Sequence, residues 1–125
     1  VGSEMCIRDS VYIDLVFEIE DRFWIVDYKS HHLGNSIEDY RTSILETVMA
    51  RERYALQYLI YTLAVHRFLK QKLDNYEYDR HFGGVYYLFV RGMDPRFKDN
   101  GVFFDRPSLS LIQDLEELVI GGDRK

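Results

Sequence analysis

Two short runs rich in aromatic and β-branched residues, Tyr12–Phe17 (YIDLVF) and Phe23–Tyr28 (FWIVDY), flank the polar triplet Glu20-Asp21-Arg22. Runs of that kind around a polar turn predict a β-hairpin, which commits this part of the chain to a sheet. With the turn between Glu20 and Asp21, Asp14 falls directly opposite Asp27. Opposed side chains in an antiparallel pair have Cβ atoms about 4.5–5.5 Å apart, and two like charges there repel. A loop two residues longer would re-pair the positions without changing the face each side chain takes. Because side chains alternate, Lys29 shares the face of Asp27, and Tyr28 takes the other.

The remaining elements follow from periodicity. Ser30–Asn35 reads as a loop, Ser36–Tyr54 as a short or irregular polar helix, and Ala55–Leu73 as the clearest helix, with Leu56, Leu59, Ile60 and Leu63 at helical spacing. Asp74–Gly84, with its Gly pair, reads as a loop, and the apolar run Val85–Val90 (VYYLFV) as a buried strand. Val102–Phe104 is a short strand, and Ser108 an N-cap for a last helix that Gly121 and Gly122 end. The order β, β, α, α, β, β, α predicts an α/β domain with a mixed central sheet flanked by helices.

Residues 1–10, VGSEMCIRDS, show no period, and they resemble the translated adapter sequence found at the ends of some metagenomic reading frames. They are expected to be non-native and to stand outside the fold. Residues 11–125 make the expected domain, with a core for one modest unit at 46% hydrophobic content. Nothing approaches the roughly eighteen consecutive apolar residues of a membrane span, and the single cysteine, Cys6, fits a cytoplasmic protein. A net charge of −5 argues against a domain that grips a DNA backbone unaided, because phosphate contacts need clustered Lys and Arg.

Two opposed carboxylates without a His or Cys cluster make a hard, oxygen-rich site suited to Mg²⁺, with Mn²⁺ as the alternative, rather than to zinc. A metal there activates water and neutralises charge on a phosphate, while Lys29 orients the nucleophile or offsets developing charge. The chemistry in outline is phosphodiester hydrolysis. Gln57 and Tyr61, four residues apart on one helix face, are placed to contact DNA or brace Lys29. The adjacent His31 and His32 read as solvated loop residues, His66 and His81 as packing or loop hydrogen-bonding groups, and Tyr86, Tyr87 and Phe89 as core.

IDLVF, DYKS followed by LG, and YALQYLIYTLAVHRFL resemble the nuclease motifs of the PD-(D/E)xK superfamily. The continuation YEYDRHFGGVYYLFVRGM narrows the resemblance to the C-terminal nuclease domain of the RecB family, the β subunit of exodeoxyribonuclease V. The similarity runs from about Tyr12 into the final helix. It implies a restriction-endonuclease-like core, N-terminally truncated, in which Asp14 and Asp27 are metal ligands, the backbone carbonyl of Tyr28 adds a third, Lys29 is the catalytic lysine, and Gln57 and Tyr61 form an accessory motif. It also implies action on double-strand DNA ends in recombinational repair, beside RecC-like and RecD-like subunits. ATP would be used only by a helicase region outside this chain.

The family pattern has Gly where Val11 stands, Ser-Asn-Trp where Ser30, His31 and His32 stand, and an upstream helix carrying a histidine ligand that residues 11–125 lack. Two rival readings remain: a noncatalytic nuclease-like scaffold that docks partner subunits, and an acidic protein-binding domain in which Asp27 and Lys29 form only a structural ion pair.

Overall fold

The structure is a computed structural model that describes the backbone of residues 2–7 and 11–123 and the side chains of 15–121. Strands β2 (Val11–Ile19) and β3 (Arg22–Lys29) form the predicted hairpin. Glu20 (φ 52°) and Asp21 (φ 64°) both take left-handed conformations, the signature of a two-residue turn whose twist matches its strands. The register runs from Ile19 opposite Arg22 to Leu15 opposite Val26, as the turn position predicts.

After the hairpin come a 3-10 turn at Ile37–Tyr40 and α1 (Thr42–Arg51), which together occupy the segment expected as one irregular helix. Ser36 caps the turn: its hydroxyl accepts from the Glu38 amide while the Asp39 carboxylate accepts from the Ser36 amide. Helix α2 (Tyr54–Lys72) follows, then a single turn, α3 (Tyr78–His81), β4 (Phe82–Phe89), β5 (Val102–Asp105) and α4 (Leu109–Asp123). The Leu111 amide donates to the hydroxyl of the predicted cap, Ser108.

The sheet order is β1 (Gly2–Ile7), β2, β3, β4, β5, with β3 and β4 parallel and the other neighbours antiparallel. The edge strand β1 is Gly2–Ile7, so part of the segment expected to stand outside the fold pairs with β2. Between the pairs Met5–Ile13 and Ser3–Val16, β2 carries one residue more than β1, a bulge at Asp14–Leu15.

Two further elements differ from expectation. Residues 74–84 are not all loop: Gly83 and Gly84 lie inside β4, where a side chain at Gly83 would enter the Trp24 ring and Gly84 holds φ +139° beneath Phe104. These glycines admit an aromatic cluster of Trp24, Tyr86 and Phe104 on that face of the sheet. Nor do Gly121 and Gly122 end the last helix, which continues to Asp123. Nothing lies within 4 Å of a Cβ built at Gly121, so no packing there demands a stop.

The opposite face carries the core. Ile25, Val85, Tyr87 and Phe89 of the sheet are fully buried against Leu45 and Met49 of α1, Val65 and Leu69 of α2, and Ile112 of α4. Alternation in β3 puts Ile25, Asp27 and Lys29 on this covered face, so a carboxylate and an ammonium continue a row that begins as core.

Candidate active site

Asp27 and Lys29 lie near the carboxyl ends of the two parallel strands, where Asp27 is paired with Tyr87 and Lys29 with Phe89 across the β3–β4 ladder. Such ends are where open α/β sheets place their ligand sites. The Asp27 side chain is nearly buried (3% exposed), and Nζ of Lys29, whose side chain is 17% exposed, sits 3.1 Å from its Oδ1. An ionised carboxylate at that depth is stable only when paired, and the ammonium supplies the pairing.

Two aromatic rings complete the setting of the lysine. Its Nζ lies 4.2 Å from the centre of the Tyr54 ring and 5.4 Å from that of Tyr87. The Tyr87 hydroxyl donates to Gln57 Oε1 at 2.5 Å, so the amide singled out in the sequence reaches Lys29 through an intervening ring. Tyr61, one turn further along α2, packs half-buried against the core. The Tyr28 side chain is 52% exposed on the other face of the sheet, as alternation requires. Asp14 belongs to β2 one residue beyond the last pair with β3, and its side chain lies outside the described residues. Among the described residues no group of three His, Cys, Asp or Glu side chains is arranged to hold a metal.

Tyr54 was not singled out by the sequence. It lies three residues before Gln57 and seven before Tyr61, so an i, i+3, i+7 pattern puts all three on one helical face. Burial, then the charges of Glu52 and Asp27, raise its pKa, so the hydroxyl is neutral at physiological pH. That hydroxyl lies 3.1 Å and 3.0 Å from the two ring nitrogens of His31, an exposed loop residue that reaches the rim of the site. His32 bonds Asn35 instead, Nε2 to Oδ1 at 3.0 Å. Arg91 Nε donates to the Ser30 carbonyl at 2.6 Å and ties the exit of β3 to that of β4.

The other two histidines are buried and hydrogen-bonded away from this site. His81 Nδ1 accepts from the Glu77 amide at 2.9 Å. His66 lines a separate cleft of about 480 Å³ with Lys70, Tyr76 and Glu116, its Nδ1 bonded to the Tyr76 hydroxyl at 2.7 Å. Along α2 that is roughly 18 Å from Tyr54 at 1.5 Å per residue. Burial lowers the pKa of His66 below its ordinary 6.5, opposed by Glu116, so the ring is neutral in the fold although Glu116 Oε1 lies 3.8 Å from Nε2. The unfolded chain then binds the proton more tightly. The contribution of His66 to stability is full above pH 6.5 and is lost as pH falls toward its lowered folded value. Urea midpoints should fall between pH 7.5 and pH 5.5, and His66→Asn should flatten that slope.

No protein-family model matches the chain. Over 104 residues, 83% of its length, it is 49% identical to the RecBCD enzyme subunit RecB of Haemophilus influenzae, and over 110 residues, 88% of its length, 43% identical to that of Escherichia coli. It is homologous to a segment of RecB. The same name belongs to a relative in Buchnera aphidicola, 42% identical over 108 residues. The matched segment is small: 8% of the Haemophilus influenzae RecB and 9% of the other two. The described site residues of this RecB-like segment, from Asp27 to Arg91, come from the adjoining strands β3 and β4, the loop after β3, the 3-10 turn Val90–Gly92 after β4 and the first turns of α2. No helix among its described residues is long and apolar enough to cross a membrane.

Proposed function

We propose that this RecB-like segment is the nuclease part of a subunit that works in a RecBCD-type helicase–nuclease, where it hydrolyses DNA phosphodiester bonds with the help of Mg²⁺. The observation that carries the reading is the nearly buried Asp27 carboxylate, held 3.1 Å from Lys29 Nζ at the ends of two parallel strands. A fold gains little stability from burying such a pair, and an apolar pair of similar volume often serves as well or better. Its retention at a strand end beside an aromatic floor is what a reaction centre requires.

Asp27 offers a hard oxygen donor, which fits Mg²⁺ and not a soft metal. Asp14 and the Tyr28 carbonyl are the further ligands we assign, and the oxygens of a bound phosphate would supplement them. When bound, the ion supplies Lewis-acid stabilisation of charge on the scissile phosphate and a more acidic water. The chain's own part is positioning and charge. Lys29 Nζ places a positive charge beside that carboxylate, where it offsets the negative charge that grows on phosphate oxygens as water attacks. Gln57 braces Tyr87, Tyr87 walls in Lys29, and Arg91 fixes the backbone where β3 ends.

The net charge of −5 fits a segment that leaves the grip on DNA to other parts; in the proposed assembly these are RecC-like and RecD-like subunits and a helicase region that uses ATP. On this reading the protein works in cytoplasmic repair of double-strand ends. Lys29→Ala, introduced into the full-length subunit within its complex, should reduce DNA cleavage on the order of 10²- to 10³-fold, the loss typical of one charge-stabilising group. ATP-driven unwinding should stay at the level of the unaltered complex. Cleavage that persists in that variant would remove the nuclease assignment.

A further inference from the structure

We infer that Tyr54 is a positioning residue for Lys29: its ring is the surface on which the ammonium is held for the reaction. The inference rests on the nuclease reading above. A lysine carries four rotatable bonds, and one ion pair to Asp27 fixes the distance of its charge from a single oxygen without fixing its direction. A second, differently placed attraction is needed to define a point. The Tyr54 ring centre, 4.2 Å from Nζ, supplies it, with the Tyr87 ring at 5.4 Å as a more distant wall.

Tyr54 is itself fixed. Its ring centre stands 5.6 Å from that of Tyr87, whose side chain is fully buried, and its hydroxyl meets the His31 ring. It is also the first residue of α2, directly after Arg53, which holds φ 60° and ψ 26°. A non-glycine residue persists in that left-handed conformation only where its surroundings enforce it. This break between α1 and α2 brings the first turn of α2 to Lys29. The contact is to the face of a neutral phenol, so the attraction is that of a cation for a ring quadrupole rather than for a phenolate.

The test uses the full-length subunit in its complex. Tyr54→Leu should lower kcat for DNA cleavage roughly 10- to 30-fold, the factor that a partly desolvated cation–π contact commands, with KM for DNA and the unwinding rate held. Tyr54→Phe and Tyr54→Trp, which keep a ring, should recover most of the loss. Phenylalanines of increasing fluorination at position 54 keep the shape while draining the ring's negative face, and kcat should fall in step with fluorination.

A readout independent of turnover is reductive methylation of Lys29 in complex free of divalent ions, followed by mass spectrometry. Tyr54→Leu should make Lys29 react several-fold faster, and Tyr54→Phe should not. Unchanged kcat in Tyr54→Leu, a Phe variant as slow as the Leu variant, or a flat fluorination series would each overturn the inference. If Lys29→Ala and Asp27→Ala also cleave normally, the nuclease reading itself has failed. If they are inactive while Tyr54→Leu cleaves normally, the inference about Tyr54 alone has failed.

Discussion

Asp27→Ala in the full-length RecB-like subunit is expected to abolish DNA cleavage, by on the order of 10³-fold or more, and with it the heat of Mg²⁺ binding at this site. The size follows from position. Asp27 is buried, so its removal would take away the proposed metal ligand from a site closed to solvent and leave Lys29 Nζ without the oxygen now 3.1 Å away. Calorimetric titration and a cleavage assay on the same preparation, with unwinding as the control for assembly, measure both effects. A purely structural ion pair makes a different forecast. Exchanging both partners for neutral residues of similar size, Asp27→Asn with Lys29→Met, would then be nearly neutral and leave cleavage intact. Cleavage by that double variant would defeat the metal-site assignment, whereas its loss in a folded, unwinding complex supports it.

The parts of this centre that follow local rules were legible in the sequence, and those that depend on long-range packing were not. The hairpin register followed from one polar turn, because Glu20 and Asp21 accept the left-handed conformations that a two-residue loop demands. Alternation then put Asp27 and Lys29 on one face without further information. The link from Gln57 to Lys29 was hidden, because it passes through Tyr87, which adjoins Asp27 only once β4 has paired in parallel with β3. Gly83 and Gly84 suggested a loop, since a strand built around the Trp24 ring looks locally like a turn. Tyr54 was missed for a different reason. The sequence pattern closes the polar segment at Tyr54 and opens the next helix at Ala55, which separates Tyr54 from Gln57, whereas α2 begins at Tyr54 and puts both on one helix with the lysine above the ring.

Tyr87 is where the stability of the fold and the geometry of the centre meet, and truncating it should damage both. It is fully buried, its ring centre lies 5.6 Å from that of Tyr54 and 6.0 Å from that of Tyr58, and its hydroxyl holds Gln57. Tyr87→Ala should destabilise the segment by roughly 3–5 kcal/mol, the usual result of emptying a buried aromatic site. That is a large part of the 5–15 kcal/mol typical of a domain. Urea unfolding followed by the fluorescence of the single tryptophan, Trp24, measures it. Tyr87→Phe removes only the hydroxyl and should cost about 0.5–1.5 kcal/mol, since the ring still fills its space and still faces Lys29. The two variants therefore separate wall from brace. If the brace matters to the reaction, Tyr87→Phe and Gln57→Ala should each slow cleavage by a similar factor, and the double variant should be no slower than either, because both break one contact. Factors that multiply would mean that Gln57 acts on the reaction through something other than Tyr87.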